Sequence, residues 1–173
     1  ELDLEDGQQL RVDTTVVETN IHHPTDATLL WDTVRTLTRL VDDLDGKLPR
    51  GVKGFPNRTR SARRRMQALQ RMTARQREQQ QTPKYRELIG ITEQVVKNAK
   101  HVIAAAQRVR KVDAITRAAI DELCQQIASF GQLGARVIDQ TRRRVLQEET
   151  VPAEEKLYSI FEPHTDLIKR GKT

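Results

Sequence analysis

One cysteine, Cys124, in 173 residues leaves no intramolecular disulfide and no cysteine-cluster metal site to consider. It reads as a small core residue of a protein kept in a reducing compartment. Aromatic residues make up only 3% of the chain and hydrophobic ones 36%. That supply is thin for a thick core but sufficient for long helices packed along narrow seams. No apolar run approaches the roughly 18 residues of a membrane span, and no basic-then-apolar leader opens the chain, so neither insertion nor secretion is expected. Ser61, Ser129 and Ser159 lack the flanking glycines of a nucleophile elbow. The terminal "GKT" lacks the glycine that a phosphate loop needs, since position 166 is Asp.

Positive charge is what the chain has in excess, with 30 Lys and Arg against 24 Asp and Glu, a formal +6 that suits an anionic partner. The excess is concentrated. Between 58 and 77, in "NRTRSARRRMQALQRMTARQREQQQ", stand eight arginines and no acidic residue. At 100° per residue, Ala62, Met66, Leu69 and Thr73 share one side of a helix and Arg60, Arg64, Arg71 and Arg75 the opposite one. Solvated helix faces intersperse acids, and like charges crowded without them destabilise a helix. Phosphates would relieve that repulsion and release counterions. With no aromatic residues interleaved, contact with the backbone of double-stranded DNA is favoured over stacking on single strands.

Around the arginines the periodicity is helical. Thr25 or Asp26 can cap a helix whose Leu30, Val34, Leu37, Val41 and Leu44 alternate in steps of four and three. Glycines and prolines from Gly46 to Pro56 mark a loop. Pro83 is expected in the first turn of a third helix running to about Arg110, with Leu88, Ile91, Val95, Ala99, Val102, Ala106 and Val109 on its seam. Gly90 weakens it locally. Asp113 caps a fourth, with Ile120, Leu123, Ile127, Phe130, Gly134, Val137, Thr141 and Val145 on its seam, so residues 84–110 and 114–147 should form an antiparallel hairpin. Strands are expected at the two ends. "QQLRVDTTVVET" places Val12, Thr14 and Val16 on one face and Asp13, Thr15 and Val17 on the other, and "KLYSIFEP" reads as a second strand.

Asp13 inside a β-branched run needs a donor, a basic side chain, a metal ion or an edge facing water. His22 and His23, being adjacent, would point to opposite faces of a strand and could not share one metal without a turn. His23 and Asp26, and Glu162, His164 and Asp166, are further polar clusters that nothing in the sequence brings together.

Three blocks in consistent order, "VDTTVVETNIHHPTDATLLWDTVRTLTRL", "NRTRSARRRMQALQRMTARQREQQQTPKYRELI" and "EEKLYSIFEPHTDLIKRGK", resemble the insertion-sequence transposases of the DDE type over about residues 10–172. The ISNCY-like group of bacterial elements is the most similar. The resemblance implies a ribonuclease-H-like core in which three acidic residues hold two Mg2+ or Mn2+ ions for DNA strand cleavage and transfer. It makes Asp13 the first of the three, both catalytic and metal-holding. The second Asp and final Glu would come after "IKRGK", so the chain is expected to be an N-terminal portion of the catalytic region, inactive alone. The expected fold is mainly α, with a long antiparallel helical insertion flanked by strands of an incomplete ribonuclease-H-like α/β core. The parts are 1–25 (first core strand and "HHPTD" turn), 26–148 (helical insertion) and 149–173 (second strand segment). The expected setting is the bacterial cytoplasm, on the nucleoid when bound to DNA, with room for a second copy of the complete protein. The alternatives are a noncatalytic helical module that binds nucleic acid through its arginines, and a dimeric scaffold that offers them to an acidic protein.

Overall fold

The structure, a computed structural model, describes residues 25–51 and 54–164. Among these the architecture is mainly α, with four helices: α1 (Asp26–Asp45), α2 (Thr59–Gln70), α3 (Ala74–Gln107) and α4 (Ala114–Thr141). Helix α1 starts where its sequence dictates. Thr25 and Thr28 form a reciprocal cap, the Thr28 N–H donating to Thr25 Oγ1 at 3.2 Å and the Thr25 N–H to Thr28 Oγ1 at 2.9 Å. Its seam is the spine of the core. Leu30, Val34, Leu37, Val41 and Leu44 are each at most 2% exposed, worth roughly 1.5–3 kcal/mol apiece in transfer free energy.

Helices α1 and α3 pack against each other and both touch α2 and α4, while α2 and α4 share no contact among the described residues. The order is therefore a central α1–α3 pair with α2 on one side and α4 on the other. The expected hairpin of α3 and α4 is present, closed by Asp113, whose carboxylate accepts from the Thr116 N–H at 2.9 Å and from its hydroxyl at 2.6 Å. Those bonds hold the Asp113 carboxyl below its usual range.

Helix α4 approaches closely at Gly134. A Cβ there would lie 2.5 Å from Thr33 Cγ2 and 3.3 Å from Val96 Cγ2. Thr33 cannot swing aside cheaply, because its hydroxyl donates to the Leu29 carbonyl at 2.9 Å. Gly134→Ala is expected to cost about 1–3 kcal/mol by overpacking, against a helix-propensity gain of roughly 1 kcal/mol. Gly90 has no atom within 4 Å of such a Cβ, and Gly90→Ala should stabilise by roughly 1 kcal/mol. Urea midpoints moving in opposite directions for the two variants would bear this out; a shared rise would refute the close approach.

After Thr141 the helix widens into a π-helical turn, Arg142–Leu146, followed by a 3-10 turn at Ala153–Glu155. The three arginines of that turn diverge to three destinations: Arg142 to Glu93, Arg143 to Glu149 and Glu155, and Arg144 to Asp26. The segment then returns along α1. Arg35 lies between the rings of Trp31 (5.0 Å) and Phe161 (5.4 Å) and pins this return.

Three expectations are corrected here. Helix α3 begins at Ala74, nine residues before Pro83, because Thr73 and Gln76 form a second capping box. Pro83 is thus interior and exposed, a position where it has no N–H to donate to the preceding turn. Thr73, placed by periodicity on the docking side, is the exposed cap. Residues 156–163 form no strand. Leu157 gives its N–H to the side chain of Gln140, and Ser159 Oγ accepts from the Phe161 and Glu162 N–H groups at 3.1 Å. Backbone groups satisfied locally in this way are not offered to a ladder. The strand expected over residues 12–17 lies outside the described residues.

Candidate nucleic-acid interface

Helix α2 is amphipathic in the expected sense. Ala62, Met66 and Leu69 are buried, and Arg58, Arg60, Arg63 and Arg64 are exposed. Arg65 alone is diverted, its Nε donating to Glu87 at 2.9 Å and its Nη1 to Ser61 Oγ at 2.9 Å. The other seven arginines of the stretch, Arg71, Arg75 and Arg77 included, have no carboxylate partner among the described residues.

The single stripe, however, is two pieces. The helix stops at Gln70, the chain turns through Arg71, Met72 and Thr73, and Arg75 belongs to α3. Arg60 and Arg64 share one face, Arg71 sits at its C-cap, and Arg75 lies on the next helix. The Thr73–Gln76 capping box starts the new helix, and the turn also buries Met72. A continuous helix would leave it on the flank of the buried face, whereas the turn buries it to 8% exposure. The T-x-x-Q spacing of Thr73 and Gln76 was the sequence signature of this break.

At the end of the bundle where α1 begins, a buried polar network joins distant parts of the chain. Asp26 is 5% exposed and accepts from Gln140 Nε2 at 2.9 Å and from Arg144 Nη1 at 2.8 Å. Gln140 Oε1 in turn accepts the Leu157 N–H at 2.7 Å, and its Nε2 also reaches the Leu157 carbonyl at 3.4 Å. Beside it opens a cleft of about 640 Å³ whose walls include Arg77, Tyr85, Arg144 and Glu148. Glu148 adopts a positive φ of 55° there. The Tyr85 phenol is pushed up to about 12, first by burial and then by the Asp26 carboxylate. It is a neutral hydroxyl at ordinary pH, while the two Asp26 oxygens are engaged one by Gln140 and the other by Arg144. Gln140, which the sequence reading passed over, is the residue on which this network turns.

Asp13, His22, His23 and Asp166 lie outside the described residues. Glu162 and His164 are exposed near the end of the described chain. Among the described residues no three His, Cys, Asp or Glu side chains converge as a metal site requires. Cys124 is buried, and that burial pushes its thiol up, away from the reactive thiolate. No helix of the described residues is long and apolar enough to cross a membrane. No protein-family model, curated protein or solved structure matches the chain.

Proposed function

We propose that this chain binds duplex DNA through its phosphate backbone, and does so as part of the catalytic region of a DDE transposase. The observation that carries the DNA reading is the state of the arginines. Elsewhere the arginines are mixed: Arg35, Arg117, Arg142, Arg143 and Arg144 each face a carboxylate, whereas Arg86 and Arg108 face none among the described residues. Seven arginines between 58 and 77 are exposed and face none among the described residues, which is the electrostatic footprint of a polyanion partner. Guanidinium groups with no aromatic platform beside them suit phosphate oxygens rather than unstacked bases.

The transposase reading rests on the three resembling blocks and on Asp13 as first member of the acidic triad. The bundle's own layout is consistent with residues 26–148 as a unit inserted into a larger core. An inserted unit must leave its host where it entered, and Gln140 bonds Asp26 and Leu157 together. Asp13 would help hold the Mg2+ or Mn2+ of that core. The described residues do not furnish an ion site by themselves.

Salt-dependent binding tests the DNA reading. Changing Arg60, Arg64, Arg71 and Arg75 to Gln should lower the log-log salt slope by roughly 0.9 for each lost contact, independent of duplex sequence. A quadruple variant with unaltered affinity and slope would reduce the arginines to a solvated face. Extending the reading frame beyond Thr173 tests the transposase part. A downstream strand ending in Asp and a later helical Glu are required; without them the chain is a noncatalytic DNA-binding module.

A further inference from the structure

A row of cations runs along α3 from Arg75, at the end of the acid-free stretch, to residues well beyond it. Arg75, Arg86, Lys97 and Arg108 recur at intervals of 11 residues. Eleven residues carry an α-helix through three turns plus about 20°, so the four side chains stand in one nearly straight row, about 16 Å apart and about 50 Å from first to last. All four are exposed, as are the neighbouring Lys100 and His101. Of the carboxylates on α3, Glu87 turns to Arg65 and Glu93 to Arg142, and Glu78, three residues from Arg75, makes no ion pair with it. None of the four has a carboxylate partner among the described residues. The other side of the helix is committed to the core through Leu88, Val95, Ala99 and Val102.

We infer that this row is a second DNA track, along which a duplex lies parallel to α3; the inference rests on the proposal that the chain binds duplex DNA. A line drawn along a duplex parallel to its axis crosses both phosphate backbones once in each turn of about 34 Å. Crossings therefore come every 17 Å or so on average, which is the spacing of the row. At about 3.4 Å per base pair, its length corresponds to roughly 15 base pairs. The face offers no aromatic ring for single-strand stacking, and cations this far apart exceed the screening length at physiological salt. They act as independent contacts on an extended, regularly charged partner.

The experiment compares the 173-residue chain with its Arg86→Gln, Lys97→Gln, Arg108→Gln triple variant, using blunt duplexes of graded length and a series of salt concentrations. Gln is a good helix former and the sites are exposed, so a circular-dichroism melt should confirm intact folding. The unaltered chain should gain affinity with duplex length up to roughly 15 base pairs. The triple variant should lose about 2.7 from the salt slope and reach its plateau on shorter duplexes. Arg110, Arg117 and Arg136 changed to Gln together should leave both readouts in place. A triple variant that keeps the parental slope and length dependence, while Arg60→Gln with Arg64→Gln weakens binding, would overturn the α3 track and leave the DNA reading standing. An unaltered chain that binds no duplex would overturn both.

Discussion

Gln140→Leu is expected to lower the stability of the bundle by about 3–5 kcal/mol, the sum of leaving two or three buried polar groups without partners. The substitution preserves most of the volume and removes the amide. It strips Asp26 of one of its two donors, the Leu157 N–H of its acceptor, and the Leu157 carbonyl of its longer contact. Asp26 keeps Arg144, so its charge stays paired and the loss is one of hydrogen bonds. For a chain of this length the melting temperature should fall by roughly 10–15 °C. Gln140→Glu separates the contributions. It keeps an acceptor for Leu157 but sets a second carboxylate against Asp26, so it should be tolerated best at acidic pH. A melting temperature for Gln140→Leu within about 2 °C of the parent would show that the network does not hold the two ends of the bundle together.

Alkaline unfolding should expose the second large effect. The Tyr85 phenol titrates near 12 in the folded chain against an ordinary 10. Between those values the unfolded state releases its proton and the folded state does not, so folding stability is complete below pH 10 and declines as pH rises toward 12. Two units of difference correspond to a loss on the order of 2–3 kcal/mol. Burial is the main cause, because a phenolate there would be poorly solvated, and the Asp26 carboxylate adds repulsion. Tyr85→Phe removes the ionisation. The denaturant midpoint of the parent should therefore fall relative to that of the Tyr85→Phe variant from pH 10 upward. A constant difference across that range would mean that Tyr85 ionises as readily folded as unfolded.

What the sequence showed plainly was what periodicity encodes. The α1 seam, the α3–α4 hairpin and the Asp113 cap all follow from local spacing of apolar and capping residues, and the structure has them. Its errors arose where a local choice competed with the period. A 3.6-residue pattern runs unbroken from Arg58 through Arg77, yet Thr73 and Gln76 end one helix and start the next. Pro83 looked like a beginning because proline favours first turns, but a helix already started by a capping box passes through it. "KLYSIFEP" has strand composition, and a distant glutamine and a nearby serine take up its backbone groups instead. Gln140 was invisible to pattern reading for a related reason: it occupies a buried position on a mostly apolar helix, and its partners stand 114 and 17 residues away. The cation row on α3 was present in the numbering, but an interval of 11 stands out only once the helix is known to be continuous.

The pairing of Asp26 with Leu157 has a mechanical meaning. All four helices lie between Asp26 and Leu157, which Gln140 holds side by side, so under the proposed insertion the bundle would be a cantilever with one fixed end. Its core also takes in Leu157 and Ile160 of the returning segment, and load applied along α2 or α3 would be carried to the rest of the polypeptide through that end. The joint consists of side-chain hydrogen bonds around one amide, with Arg143 and Arg35 bracing the returning segment. Such a joint resists separation of the two strands of chain more than it resists rotation about them. A duplex gripped along a helix about 50 Å long would thus have a long moment arm, and a small turn at the base would displace the far end of that duplex by many times the distance moved at Gln140.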